Sequence, residues 1–107
     1  ETSFYASKGN GYPKICFLCE YDAVPEEGHI TGHNLVATTS IAASIALGNI
    51  INKIGGTSIL IGCPGEYLGG TKSIMVKQGI FDDIDVVMMT HPDLTTCESG
   101  TSSAIMD

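Results

Sequence analysis

Lys14-Ile15-Cys16-Phe17-Leu18-Cys19 is a continuous apolar run of strand length after its opening lysine. Runs of this kind suit a strand covered on both faces, as in a parallel sheet. Thr57-Ser58-Ile59-Leu60-Ile61-Gly62-Cys63 and Ile84-Asp85-Val86-Val87-Met88-Met89-Thr90 repeat the pattern downstream. Between the first two, residues 34–54 change period. Leu35, Ile41, Ile45, Leu47, Ile50, Ile51 and Ile54 recur at three- and four-residue steps, with alanines between them. That spacing predicts a helix. Asn34 is its expected N-cap and Gly55-Gly56 its stop. The scarcity of charge along it predicts a largely buried helix. A shorter helix is expected over 71–78, closed by Gly79.

The order β-α-β-α-β, with right-handed crossovers, gives an α/β fold. The expected architecture is a three-layer α/β/α with a mainly parallel sheet, part of a larger catalytic domain. Residues 1–13 are polar and Gly-rich and read as turns, and 20–33 read as a loop. The domain is expected to occupy 1–92, with Ser/Thr-rich 93–107 leaving it.

The chain has 107 residues, which bounds it to one domain. Hydrophobic residues make up 43% and charged residues 16%, the composition of a packed core. Net charge is −7 and all five basic residues are lysines, which argues against nucleic acid as a partner. No segment is expected to reach the ~20 apolar residues of a membrane span, so no membrane partner is expected. Cys16 and Cys19 form C-x-x-C only as text, because strand residues three apart point to opposite faces. They read as buried thiols. Reduced cysteines and no visible leader favour the cytoplasm.

Chemistry gathers at the strand ends. Asp22 follows the first run, Glu66 the second and His91 the third, while His33 opens the long helix. In open parallel sheets, ligands collect outside the carboxyl ends of the strands. Two imidazoles and two carboxylates make a reasonable set for a divalent metal, with zinc the expected ion. Such an ion makes hydroxide available near neutrality, and a carboxylate can carry the proton to a leaving amine.

Glu20-Tyr21-Asp22-Ala23-Val24-Pro25 and Gly28-His29-Ile30-Thr31-Gly32-His33-Asn34 resemble E-Y-D-A-L-P and G-H-A-C-G-H-N. Cys63-Pro64-Gly65-Glu66-Tyr67-Leu68-Gly69-Gly70-Thr71-Lys72 resembles T-P-A-E-E-x-G-G-G-K, and Val86 to Pro92 resembles V-V-F-M-A-H-P. These motifs belong, in this order, to the zinc aminoacylase/carboxypeptidase family of metallopeptidases. The resemblance is to its branch of aminoacylase-like dipeptidases and p-aminobenzoyl-glutamate hydrolases. It runs from about residue 14 to 92.

The resemblance implies Glu66 as general base, His33 and His91 as metal ligands, and Asp22 as a loop carboxylate of the catalytic site. His29 falls on a loop histidine that is not a usual ligand. It implies a two-domain protein whose inserted lid often dimerises, so self-association is expected and 93–107 would begin the crossing to the lid. The implied reaction is hydrolysis of amide bonds in N-acyl amino acids or small dipeptides.

Two positions depart from the pattern. The family's bridging Cys falls on Thr31, and its second Glu falls on Tyr67. Threonine keeps its proton near neutrality, and a tyrosine with pKa near ~10 needs help to ionise. A further family His has no counterpart within these residues. A degenerate homologue that binds a ligand or partner without catalysis is the alternative.

Overall fold

The computed structural model describes residues 2–66 and 70–93. In chain order these form β1 (Phe4–Asn10), β2 (Lys14–Glu20), α1 (His33–Ile54), β3 (Gly56–Cys63), α2 (Lys72–Lys77) and β4 (Val86–Met88). The sheet order is β1-β3-β2-β4. β2 runs parallel to β3 and to β4, and β1 pairs with β3 antiparallel.

The α/β class and strands β2, β3 and β4 follow from the apolar runs. β1 corrects the reading of 1–13 as turns and makes the sheet mixed. Its seven residues are all exposed. It is therefore held by the main-chain ladder from Phe4↔Gly62 to Asn10↔Gly56 and shows no apolar alternation.

The two central strands, β2 and β3, are covered on both faces. On one side Met75 of α2 packs with Cys16, Leu18, Ile59, Ile61 and Cys63, and Phe81 and Ile84 close the edge of this core. On the other side lies α1. Ser40 of α1 donates its hydroxyl to the Leu18 carbonyl, and Ser58 of β3 donates to the Ser44 carbonyl at 2.9 Å.

α1 differs from expectation in three ways. It starts at His33, with Gly32 and not Asn34 as N-cap. It is not largely buried: Val36, Ser40, Gly48 and Ile51 face inward, while Leu35, Ile41, Ile45, Ile50 and Ile54 are exposed. The reason is close packing. A face of small and β-branched residues lets the helix lie low on the sheet, and the bulkier residues are turned outward. Finally, its 22 residues are long and apolar enough to cross a membrane by length and composition alone, against the expectation that no segment approaches a span.

Candidate metal centre

β2, β3 and β4 all run in the same direction, with β2 between the other two, so their carboxyl ends share one rim. Glu20 is the last residue of β2 and pairs in register with Cys63, the last of β3. Asp22 lies two residues beyond β2, Glu66 three beyond β3 and His91 three beyond β4. His33, as the first residue of α1, projects into the same rim.

His33 is the hub. Its side chain is 6% exposed, with Nδ1 2.6 Å from Asp22 Oδ1 and Nε2 3.0 Å from Glu20 Oε2. A neutral imidazole has one N–H, so it satisfies only one of two facing carboxylates. Glu20 Oε2 is buried and has no aligned hydrogen-bond donor among the described residues. The His91 ring stands edge-on to His33, with centroids 5.4 Å apart. Its Nδ1 lies 2.8 Å from the Pro92 carbonyl. A proton on Nδ1 donates to that carbonyl, leaving Nε2 with its lone pair for a ligand. Ligand atoms of Glu20, His33 and His91 all lie within 4.8 Å of one another.

These residues fit a divalent cation. An ion beside Glu20 Oε2 and His33 Nε2 would satisfy the orphaned oxygen, while Asp22 would hold Nδ1–H and fix the ring. A carboxylate behind a ligating histidine is the usual support for such an ion. Thr31 Oγ1 is likewise buried without a partner among the described residues.

Glu66 joins the cluster through Lys72. Its Oε1 accepts from the Lys72 backbone N–H at 3.3 Å and lies 3.0 Å from Thr71 Oγ1, whose single proton it shares with the Pro64 carbonyl. Lys72 Nζ lies 3.3 Å from Glu66 Oε2 and also donates to Glu20 Oε1. Burial works against the Lys72 charge. The bond to Glu20 and the charges of Glu20 and Glu66 outweigh it and raise the lysine above its ordinary value.

The seating of His91 depends on Gly32. This glycine has φ 76°, a left-handed conformation, and a β-carbon there would overlap the Pro92 ring. Glycine meets both demands.

Glu20 and Lys72 belong to this cluster too; both fall on motif positions quoted above, but neither receives a role in the site from the sequence. Glu20 sits at the junction of an apolar run and an acidic loop, and a lysine opening a short helix reads as solvated. His29 is exposed and is not in the three-residue group. Tyr67 and all of 93–107 beyond Asp93 lie outside the described residues.

No family model matches the chain. Individual relatives do. A p-aminobenzoyl-glutamate hydrolase subunit of Escherichia coli (strain K12) is 39% identical over 110 residues, covering 85% of this chain and 23% of that protein. Xaa-Arg dipeptidase of Mus musculus is 41% identical over 83 residues, covering 74% and 19%. Xaa-Arg dipeptidase of Homo sapiens is 38% identical over 81 residues, covering 71% and 19%. The chain belongs to the aminoacylase/carboxypeptidase family of metallopeptidases. It spans about a fifth of the length of these relatives.

Three thiols lie among the described residues, and Cys63 is the register partner of Glu20. Cys16, Cys19 and Cys63 are free and buried. Burial pushes Cys16 up to about 12 and Cys63 up to about 11, and it raises Cys19 as well. Thiols held neutral in this way are poor ligands and nucleophiles.

Proposed function

We propose that the chain is the metal-holding part of an amidohydrolase that cleaves amide bonds of N-acyl amino acids or small dipeptides. The observation that carries this reading is the convergence of Glu20, His33 and His91 at the sheet rim, with the Glu66 carboxylate tied in through Lys72. The relatives' names supply the bond type: an aminobenzoyl–glutamate amide in one, a dipeptide ending in arginine in the others.

A divalent cation, zinc being the first choice, supplies a Lewis acid and lowers the pKa of water bound to it. His33, His91 and Glu20 would hold it. Asp22 is then a positioning residue, since it reaches the site through His33 Nδ1. Glu66 is the proton carrier: its carboxylate takes a proton from the attacking water and returns it to the leaving nitrogen. Thr71 and the Lys72 backbone fix one Glu66 oxygen, which leaves Oε2 for that work once it separates from the Lys72 ammonium.

A second reading is favoured by two observations. Both Glu66 oxygens have partners in this structure, and Thr31 stands in the position of the family's bridging Cys. A non-catalytic homologue that binds a small acyl-amino acid or a partner protein would look the same. Ion content and turnover separate the two. The hydrolase reading expects about one Zn2+ or Mn2+ per chain, lost in His33→Ala, and cleavage of p-aminobenzoyl-glutamate or a dipeptide that Glu66→Gln abolishes without loss of the ion. A chain that takes up no ion when Zn2+ or Mn2+ is supplied favours the binding reading.

The same proposal places the protein in the cytoplasm, supported by its free thiols. It also includes self-association, which sedimentation would test.

A further inference from the structure

Glu20 has two oxygens in two different settings. Oε2 faces His33 and is orphaned; Oε1 takes the Lys72 ammonium, which also reaches Glu66. The rim therefore contains two adjacent places for positive charge that share one carboxylate. Imidazoles build the first, and the second lies between Glu20 and Glu66.

We propose that the Lys72 ammonium is a built-in second cation, so that this centre accepts one divalent ion and not two. This rests on the cation site proposed above at Glu20, His33 and His91. The geometry supports it. The Glu20 side chain is 5% exposed and that of Glu66 12%, so water screens the two carboxylates little. Two buried like charges need a counter-charge between them. Lys72 supplies it from the first turn of α2, where Thr71 anchors the turn by donating to the Pro64 carbonyl at 2.8 Å. A lysine is a point charge without ligand geometry and cannot polarise a substrate oxygen as a metal does. Its role is positioning: it takes Glu20 Oε1 and leaves Oε2 to the imidazoles.

The test counts ions. Equilibrium dialysis against Mn2+ is run on the chain, Lys72→Met, Lys72→Arg and the double variant Lys72→Met/Glu66→Gln. Lys72→Met is expected to hold one Mn2+ more than the parent chain. Lys72→Arg should hold no extra ion, and the double variant should lose the gain. Should Lys72→Met unfold when ion-free, folding restored by Mn2+, read by circular dichroism, is the same gain. No extra ion, or a variant that Mn2+ does not refold, overturns the proposal. Failure of the first site reads differently: a parent chain that binds no Mn2+ removes the cation of the proposed function, whatever Lys72→Met gains.

Discussion

The strand-end rim and the outer side of α1 invert the usual distribution of polarity. At the rim, Glu20, Asp22 and His33 have side chains no more than 7% exposed. Along α1, Leu35, Ile45 and Ile54 are more than half exposed, at 56%, 58% and 62%. Buried charge survives only when paired and hydrogen-bonded, whereas an isolated exposed Leu or Ile costs little. Hydropathy, then, did not choose which of these residues went inside. Geometry at the sheet did: a rim where strand ends bring polar side chains together, and a helix seated by its small residues.

The severest challenge to that contrast is His33→Ala, which leaves Asp22 and Glu20 without the ring between them. It should abolish ion binding and cost about 3–5 kcal/mol in urea unfolding. Alkaline pH should act next. Burial keeps Cys16 and Cys63 neutral in the folded chain up to about 12 and about 11, while the unfolded chain ionises them from 9.0. Their contribution is complete below pH 9 and declines as pH rises toward the folded values. Stability should therefore fall by more than about 1 kcal/mol between pH 9 and pH 11. A flat profile would mean that the thiols are not sealed.

Ser40→Ala removes the buried bond to the Leu18 carbonyl and should cost about 1 kcal/mol. Ile45→Ser, on the outer side of α1, should change stability by less than ~0.5 kcal/mol. A loss above ~2 kcal/mol there would show that this surface is covered in solution, and the contrast with the rim would disappear.

Much of the fold is legible in the residues. Three apolar runs, a period change at Asn34 and glycine stops mark out β2, α1, β3 and β4. β1 is not legible, because its seven residues are all exposed and a strand defined by its backbone ladder needs no apolar side. The orientation of α1 is hidden because the periodic isoleucines dominate the pattern, yet Ser40 and Gly48 touch the sheet. At the site, strand-end position picks out Asp22, His33, Glu66 and His91, since topology places such residues on one rim. Glu20 and Lys72 need coordinates. Nothing in a string of letters says that a lysine 52 positions away bonds to Glu20.

Gly32 matters beyond its size. β4 has only three residues, and the stretch after it that bears His91 rests its proline on the bare α-carbon of Gly32. One missing methyl thus decides whether two ring nitrogens from distant parts of the chain share a neighbourhood. Adding it would remove no donor atom and still pull the two rings apart.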